Sequence, residues 1–454
     1  MMKISLAISK YANVFFLIEG RQESLQNIYK TFIEDNSFKL ISLKENQYAV
    51  TPKAHLIKLG FLYKQTVPFL KTHPRLLFIV LSINEAIRCK LIHGWLVKKR
   101  VLKIKQLKIK IRALINLHEI NSVVVDDDRS TDLTLLLLKV CNEEKIRSVI
   151  PSISDFATHE ALLKVRRYNP RYYLCGHHGL SEELPMLYYK DKVTSRRYGF
   201  YPTDKSQAYS ITKILPRDPW NVGGGNSQFL LVNEKSELTK AQNLGIDKNK
   251  LIVTGNIEFD TMYRSCRNRK SLKETLRSKY SINDKLIVTI ALPQLAEHGF
   301  LTWKQHWKEI DYLCKELERK NVKALISLHP KMDILKYTYL EKKFNHRIVD
   351  EALSYILPAS DIFLATFSST IPWAVLCNTP SIIFDFYGFN YDVFDCIPGI
   401  IIANSKSKFE ATLCELIESD DQRLSIKKRY KEYSGNLSKF DGKSEVRIVK
   451  AILG

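Results

Sequence analysis

The sequence predicts an α/β protein with two doubly wound, Rossmann-like domains that face a cleft. Short apolar runs alternate with segments of helical spacing along most of the chain, which is the pattern of βαβ units with parallel strands. The alternation restarts after residue 285, and 454 residues exceed what one ordinary core needs. We therefore expect an N-terminal domain over residues 1–262, a linker over 263–284 and a C-terminal domain over 285–454.

The N-terminal half contains apolar runs that are typical of strands. These runs lie at residues 4–8, 38–43, 76–83, 122–125, 148–150, 172–175, 229–232 and 251–254. Leucine and isoleucine spacing predicts helices over residues 98–112 and 132–144. The polar stretch 201–228, which includes three consecutive glycines, predicts a long loop.

The C-terminal half repeats the pattern more regularly. Strands are predicted at 286–292, 324–328, 347–349, 362–365, 381–384 and 400–402, and helices at 371–377, 408–418, 421–433 and 444–453. Near-continuous apolar runs indicate parallel strands buried on both faces. Ligands of such sheets bind just beyond the carboxyl ends of the strands, so the polar residues that follow the strands are the candidate ligand contacts.

Polar residues suited to a nucleotide follow several of these strands. His329-Pro330 follows one strand, and a serine pair follows another and opens the next predicted helix. Hydroxyls, backbone N–H groups and the helix dipole together favour phosphate. The predicted nucleotide and donor contacts are Gln294, His329, Pro330, Ser368, Ser369, Thr370 and Asp385. The predicted ligand is a nucleoside monophosphate or diphosphate.

The order of three short motifs resembles that of the GT-B superfamily of nucleotide-sugar enzymes. Residues 253–260 (Val-Thr-Gly-Asn-Ile-Glu-Phe-Asp) resemble the segment that leads into the interdomain linker, and His329-Pro330 and Ser368-Ser369 resemble the donor-binding motifs. The superfamily includes bacterial capsule and lipopolysaccharide glycosyltransferases and the UDP-N-acetylglucosamine 2-epimerases. The resemblance implies a GT-B fold with its acceptor side on the N-terminal domain.

Two segments of the N-terminal half carry the candidate catalytic residues. Asp127 and Asp128 follow a predicted strand, and clustered carboxylates can raise one another's pKa, so one of them could act as a base. A helix cap is the alternative. His178 lies in a Gly-His-His-Gly segment and could take a proton from an acceptor hydroxyl, with a structural turn as the alternative. The resemblance places His177 and Arg129 on the acceptor side.

Cysteine usage and hydropathy predict a cytoplasmic protein. Eight cysteines are scattered without a Cys-x-x-Cys pair, which argues against a zinc site or a disulfide scaffold. The longest apolar stretches are far shorter than the ~18 residues that span a bilayer. The first residues lack the features of a secretory signal.

The excess of positive charge predicts that the protein binds an anionic surface. The chain has 70 Lys and Arg against 48 Asp and Glu, and residues 88–112 contain ten basic residues and no acidic one. A basic amphipathic helix suits the anionic inner leaflet, and a solvated basic helix is the alternative. Nucleic acid is not expected as a partner, because stacking aromatic residues do not accompany the charge. The basic residues concerned are Lys98, Lys99, Arg100, Lys103, Lys105, Lys108, Lys110 and Arg112.

These observations predict a glycosyltransferase that moves a sugar from a nucleotide-sugar donor to a capsule or lipopolysaccharide-type, lipid-linked acceptor. No metal or other cofactor is expected, because helix dipoles and His or Ser donors can stabilise the leaving nucleotide. A UDP-N-acetylglucosamine 2-epimerase-like enzyme is the alternative, although residues 368–373 lack the glycine pair and the acid of that family. A basic nucleic-acid-binding protein is the second alternative. CMP, UDP and CDP donors all remain open.

Overall fold

The computed structural model describes residues 2–19, 32–43, 74–151, 159–167, 169–173, 177–329, 332–366, 368–388, 394–437 and 439–454. The chain divides into two compact units. The first comprises Met1–Leu231, Thr239–Ile252 and Val449–Gly454, and the second comprises Val232–Leu238 and Val253–Ile448. Each contains a parallel sheet with helices, so the predicted α/β fold class is confirmed.

The described elements up to residue 253 are a mixture of helices and strands. In chain order they are α1 (Met2–Ser9), β1 (Phe15–Glu19), β2 (Lys39–Leu43), α2 (Pro74–Leu91), α3 (His93–Leu117), β3 (Ser122–Val124), α4 (Asp132–Glu143), β4 (Arg147–Ile150), α5 (His159–Arg167), α6 (His177–Glu183), β5 (Tyr188–Lys190), β6 (Arg197–Gly199), α7 (Thr203–Thr212), β7 (Phe229–Val232), α8 (Lys235–Asn243) and β8 (Leu251–Val253).

The first unit is built on a four-stranded sheet with the order β3-β4-β7-β8, in which β4 pairs in parallel with β3 and β7. Strands β1 and β2 form a separate parallel pair, and β5 and β6 form an antiparallel pair. The core lies between α3, α4 and α7. Ile104 and Ile111 of α3 and Leu135 of α4 are almost fully buried there, because apolar side chains three or four residues apart share one helix face.

The elements from residue 257 onward follow the same plan. They are α9 (Ile257–Arg267), α10 (Arg269–Tyr280), β9 (Val288–Ala291), α11 (Trp303–Arg319), β10 (Ala324–Ser327), α12 (Ile334–Tyr337), α13 (Tyr339–Lys343), β11 (Arg347–Ile348), α14 (Leu353–Ile356), β12 (Ile362–Ala365), α15 (Ile371–Leu376), β13 (Ser381–Phe384), β14 (Ile401–Ala403), α16 (Lys406–Glu418), α17 (Asp420–Leu437) and α18 (Ser444–Leu453).

The second unit is built on a six-stranded sheet with the order β11-β10-β9-β12-β13-β14, and every neighbouring pair is parallel. The chain starts in the middle at β9, proceeds to one edge, and then returns beside β9 to proceed to the other edge. This is the doubly wound arrangement that the sequence predicts. The order reverses between β9 and β12, and ligands of such sheets bind at the carboxyl ends of the strands beside this switch point.

Several N-terminal elements differ from the prediction. Residues 4–8 and 76–83 belong to helices α1 and α2 rather than to strands, since a short apolar run does not distinguish the two. The predicted strand at 172–175 begins instead in a 3₁₀ turn, Pro170–Tyr172, and the predicted loop 201–228 contains α7. Strand β1 was not predicted. The strands predicted in the C-terminal half are all confirmed to within two residues at each end.

The predicted linker, 263–284, consists mostly of helix. It includes the end of α9 and all of α10, and both helices belong to the second unit. Leu272, Leu276 and Tyr280 of α10 are buried in a cluster with Leu325 of β10. The apolar spacing within this charged segment therefore packs α10 against the sheet.

Candidate functional site

Residues from several loops meet at the carboxyl edge of the six-stranded sheet. Gln294 follows β9 and is half-buried, and His329 follows β10 and has an exposed side chain. Asp385 follows β13 directly and is buried. Pro330 lies outside the described residues. The sheet topology therefore places the described donor-site candidates on one edge, beside or near the switch point.

The Ser-Ser-Thr segment after β12 forms a turn before α15. The Ser368 hydroxyl lies 2.8 Å from that of Thr370 and accepts a hydrogen bond from the Thr370 backbone N–H at 3.3 Å. Thr370 is the N-cap residue of α15. Ser369 points outward and its side chain is exposed. Within this segment, Ser368 and Thr370 stabilise the turn, and Ser369 presents its hydroxyl to solvent.

A cavity of about 330 Å³ opens at the same edge. Its lining comes from the β9–α11 loop, from the body of α11, and from the residues after β13 and β14. The lining residues are Phe300, Leu301, Gln305, Glu309, Phe386, Tyr387 and Lys406. Helices α11 and α16 both begin here, with side-chain caps from Thr302 and Ser405. Two helix N-termini and an aromatic wall are features that suit a phosphorylated, ring-containing ligand.

Lys406 provides the cation of this cavity. Its Nζ lies 2.9 Å from a carboxylate oxygen of Glu309 and 4.2 Å from the centre of the Tyr312 ring. Tyr387 is mostly buried beside it, and burial raises the pKa of its phenol, so it stays a neutral hydrogen-bonding group. Because Lys406 is held between an acid and aromatic rings, its ammonium group has a defined position in the cavity.

The aromatic and basic residues of this cavity were not predicted from the sequence. Phe386 and Tyr387 follow the predicted site residue Asp385 by one and two positions, so the end of that strand was a usable signal. Glu309 and Lys406 are 97 residues apart and meet only because α11 and α16 lie side by side. Nothing in the local sequence of either residue indicates this contact.

In the first unit, Asp128 holds the glycine-rich loop. Its carboxylate is fully buried and accepts hydrogen bonds from the backbone N–H of Gly223 at 2.9 Å and of Gly225 at 2.8 Å, and from the Ser227 hydroxyl at 2.9 Å. A Cβ atom on Gly225 would lie 2.3 Å from the Asp128 backbone oxygen. Glycine is therefore required for this close approach.

Lys250 holds the same loop from its carbonyl side. Its Nζ donates to the carbonyl oxygens of Gly223 at 2.6 Å and Gly225 at 3.0 Å, and lies 4.0 Å from the Asp128 carboxylate. Burial lowers the pKa of Lys250. N–H groups of the loop are thus satisfied by a buried carboxylate and C=O groups by a half-buried ammonium, which fixes its conformation.

Arg129 is also directed into the protein. Its guanidinium is buried and donates to the carbonyl oxygens of Pro219 at 3.2 Å and Trp220 at 2.6 Å. Burial lowers the pKa of Arg129, with neighbouring carboxylates acting in the opposite direction. The contacts made by Asp128 and Arg129 therefore favour a structural role for both, in positioning residues 219–227.

Asp127 is the more accessible acid of the pair. Its carboxylate accepts from the backbone N–H of Arg129 at 3.0 Å and of Ser130 at 2.9 Å, and also contacts the Ser130 hydroxyl. The cap of α4 is a different residue, Thr131, which accepts from the Thr134 N–H at 3.0 Å. Asp127 therefore stabilises the turn before the helix and stays half-exposed.

His177 and His178 begin helix α6. The sequence suggested a glycine-flanked loop here, and the backbone is helical from His177 onward. Their side chains lie outside the described residues, as do residues 174–176. The proton-accepting role of His178 and the acceptor-side position of His177 therefore stay predictions.

The basic helix α3 packs its apolar face inward. Ile104, Leu107 and Ile111 are buried against α4 and α7, so this face serves the core of the first unit. Arg100 forms an ion pair with the buried Asp132, in which its Nη1 donates to both carboxylate oxygens, at 2.8 and 3.0 Å. Two further basic residues, Lys108 and Arg112, pair with Glu143. The acid-free stretch is thus partly neutralised by acids from α4.

Side chains on the opposite face of α3, and several on α2, are exposed. They include lysines and aliphatic residues, and the aliphatic residues are 40% to 72% exposed. The exposed aliphatic residues are Ile79, Ile83, Ile87, Leu91, Leu102, Ile109 and Leu117. The exposed lysines are Lys90, Lys98, Lys99 and Lys105. We call these residues the α2–α3 surface.

Among the described residues, no group of three or more His, Cys, Asp or Glu side chains could hold a metal ion. None of the described helices combines the length and apolar character needed to cross a bilayer.

No protein-family model matches the sequence, and the search of curated proteins found no match. Solved structures similar to this chain include the UDP-GlcNAc 2-epimerase from Neisseria meningitidis bound to UDP-GlcNAc, at 13% identity over 100% of this chain and 95% of that chain, with a TM-score of 0.48. The UDP-GlcNAc 2-epimerase from Methanocaldococcus jannaschii is similar at 12% identity over 98% and 94% of the two chains, with a TM-score of 0.46.

The wall teichoic acid polymerase TagF is similar at 12% identity over 78% of this chain and 96% of that chain, with a TM-score of 0.43.

Proposed function

We propose that the protein is a glycosyltransferase that uses a nucleotide-sugar donor bound by its second unit. The observation that carries this proposal is the 330 Å³ cavity at the carboxyl edge of the doubly wound sheet. Aromatic side chains, one fixed cation and two helix N-termini converge there. A nucleoside diphosphate has an aromatic base and two anionic phosphates, and so matches this lining.

Each part of the donor has a matching group in the cavity or elsewhere at the same sheet edge. Phe386 offers a ring face to the base, and the buried Asp385 next to it suits ribose or sugar hydroxyls. Lys406 and the N-terminus of α16 suit the diphosphate. The ammonium group of Lys406 would then contact both the diphosphate and Glu309. His329 and Ser369 are exposed on the same edge and can donate to the leaving phosphate. The proposed reaction requires no metal for this stabilisation.

The first unit would supply the base that activates the acceptor hydroxyl. Asp127 is the better candidate for this base, because Asp128 is fully buried and its carboxylate holds the glycine loop. His177 and His178 are the other candidates. A hydrogen-bonded, half-exposed carboxylate can accept a proton from a sugar hydroxyl as the glycosidic bond forms.

We propose that the acceptor is a lipid-linked glycan at an anionic membrane, which the protein contacts through the α2–α3 surface. Exposed aliphatic patches on soluble proteins mark interaction sites, and here lysines flank the aliphatic residues. Such a face can insert its aliphatic side chains at the lipid headgroup level while the lysines contact anionic lipid. Each lysine near an anionic surface contributes ~1 kcal/mol.

Vesicle sedimentation tests the membrane contact. Reversing Lys98, Lys99 and Lys105 to Glu should lower binding to phosphatidylglycerol vesicles by ~100-fold or more, since roughly 3 kcal/mol of attraction is lost. Arg100 is left unchanged because it pairs with the buried Asp132. Failure of the wild type to sediment at low salt would refute the contact.

The matched control carries the same charge change elsewhere. Lys248, Lys304 and Lys342 are exposed and lie outside the α2–α3 surface. Their reversal to Glu should leave sedimentation nearly unchanged. Equal loss in both triple variants would mean that net charge, rather than this surface, attracts the protein to the vesicle.

A turnover assay tests the function itself. UDP-, CDP- and CMP-sugars are incubated with the protein and with lipid extract that contains lipid-linked acceptors, and both nucleotide release and labelled glycan are followed. Acceptor-dependent release from one donor class is the expected result. Conversion of UDP-N-acetylglucosamine without acceptor, seen by NMR as a change at C2, would instead establish the epimerase alternative.

A further inference from the structure

We propose that the second unit carries a separate binding site for neutral sugar rings on the far side of helix α11. A cavity of about 590 Å³ lies there, the larger of the two cavities described for this unit. It is lined by Trp303, Trp307, Asp311, Lys336 and Tyr339. Three aromatic side chains, one acid and one base therefore surround a single depression.

Helix α11 separates this cavity from the proposed nucleotide site. Trp303, Trp307 and Asp311 recur every fourth residue and therefore share one face of the helix. Gln305 and Glu309, which line the nucleotide cavity, are offset by two residues and lie on the opposite face. One helix diameter, ~10 Å, therefore separates two chemically different sites.

The aromatic floor of this cavity is held in place from below. Trp303 stacks on Trp307 with ring centres 5.4 Å apart and an angle of 30°. Trp307 in turn meets Tyr337 and Tyr339 edge-on, at 5.0 and 5.4 Å. These three aromatic contacts restrict the rings to one arrangement, which lowers the entropy cost of binding.

A buried polar chain lies beneath the same rings. His306 is fully buried, and its Nε2 lies 2.9 Å from the Tyr337 hydroxyl, which donates to Glu297 at 2.6 Å. The His306 ring contacts both Trp303 and Trp307. Burial lowers the pKa of His306, so the ring stays neutral near pH 7. The floor is therefore supported by a neutral hydrogen-bonded layer.

The lining chemistry fits a neutral sugar. The C–H bonds on one face of a pyranose ring are weakly positive and pack on the negative face of an indole. Trp303 is 39% exposed, and Lys336, whose ammonium group lies over its ring, is a flexible side chain that a bound sugar can displace. Asp311 accepts from the Tyr339 hydroxyl at 3.0 Å and contacts Lys343, and a carboxylate has acceptor capacity beyond these two bonds. It can therefore accept from sugar hydroxyls as well.

The exposed indole face, rather than charge, favours a neutral sugar over a nucleotide here. Asp311 and Lys336 sum to zero, and Lys336 lies 4.7 Å from the centre of the Trp303 ring, where it already faces an aromatic group. A phosphate would meet one cation and one carboxylate. A neutral oligosaccharide meets a hydrogen-bond acceptor, a donor and an aromatic face. This assignment stands whether or not the protein transfers sugar.

Ligand-observed NMR tests the proposal with named probes. Chitotetraose, cellotetraose and maltotetraose are each mixed with the full-length protein, without nucleotide, and saturation transfer to the sugar protons is measured. At least one should give transfer at millimolar concentration. In the Trp303→Ala variant, the affinity for that probe should fall by about tenfold or more, since the stacking face is lost.

Controls separate the site from a general aromatic effect. Tyr355 is 37% exposed on α14, close to the exposure of Trp303, and Tyr355→Ala should bind the probe as the wild type does. Trp303→Phe should restore most of the affinity, because a ring face returns. Circular dichroism confirms that each variant is folded.

Three outcomes would overturn the proposal. The first is that none of the three probes binds the folded wild type, and the second is that Trp303→Ala binds as tightly as the wild type. The third is that UMP or CMP displaces the bound sugar and requires Trp303, which would make the cavity a nucleotide site. If the wild type binds the sugar probe but shows no transferase activity, only the proposed function is contradicted.

Discussion

Asp128→Asn is expected to destabilise the first unit. The buried carboxylate of Asp128 accepts three hydrogen bonds from the glycine loop. An asparagine can keep its oxygen toward Gly225 and Ser227, but its amide then faces the Gly223 N–H. One buried donor loses its partner, and the charge that strengthens the other two bonds is gone.

The size of the effect follows from these contacts. An unsatisfied buried donor costs ~1–3 kcal/mol, and weakening two charge-assisted bonds adds about 1 kcal/mol. The sum is roughly 2–4 kcal/mol. For a folding unit of about 150–250 residues, each kcal/mol corresponds to ~2–4 °C, so the melting temperature should fall by roughly 4–16 °C. Differential scanning calorimetry measures this shift.

Asp127→Asn is the matched control. Asp127 accepts hydrogen bonds from two backbone N–H groups in a half-exposed turn. The amide oxygen of an asparagine can accept the same two bonds, so the melting temperature should change little. If Asp127 is the base, turnover should fall by ~100-fold or more. A stable Asp128→Asn variant that has lost turnover, beside a fully active Asp127→Asn variant, would refute this assignment of roles.

Three further predictions concern other parts of the chain. His329→Ala should weaken nucleotide binding by about 10–100-fold in calorimetric titration without changing the melting temperature, because the side chain is exposed; unchanged affinity would remove His329 from the site. Gly225→Ala should lower the melting temperature because its Cβ would lie 2.3 Å from a backbone oxygen, whereas Gly94→Ala in helix α3, with nothing within 4 Å, should not. The Cys266 thiol has a pKa lowered by its hydrogen bond with Cys377 and by the nearby charge of Arg269, so its alkylation by iodoacetamide should reach half its maximum at a pH below the ~8.5 of an ordinary thiol. A midpoint near the ordinary value of ~8.5 would contradict this contact.

The second unit could be predicted closely from the sequence, and the first only in part. Strands such as β12 are fully buried on both faces, so their apolar runs are continuous and end at polar residues. The runs at 4–8 and 76–83 are as apolar but belong to α1 and α2. Exposed aliphatic residues in α2, such as Ile79 and Ile83, make its sequence resemble that of a buried strand.

The candidate site, too, could be predicted from the sequence only in part. His329 and Ser369 could be placed at a sheet edge because strand order follows from the alternation of elements. Asp127 and Asp128 are neighbours in sequence and look equivalent there, yet only Asp128 meets the glycine loop almost one hundred residues later. The Glu309–Lys406 contact and the Trp303–Trp307 floor depend on how helices pack, which local spacing does not specify.

The most direct test of nucleotide binding is a calorimetric titration of UDP, CDP and CMP into three proteins: the wild type, Lys406→Ala and Lys408→Ala. Lys406 lines the cavity at the carboxyl edge, and Lys408 is exposed two residues further along the same helix, which makes it a matched control. We predict that at least one nucleotide binds the wild type and Lys408→Ala alike, and that Lys406→Ala binds it at least tenfold more weakly. Absence of binding by all three nucleotides, or equal affinity in both variants, would contradict the proposed donor site.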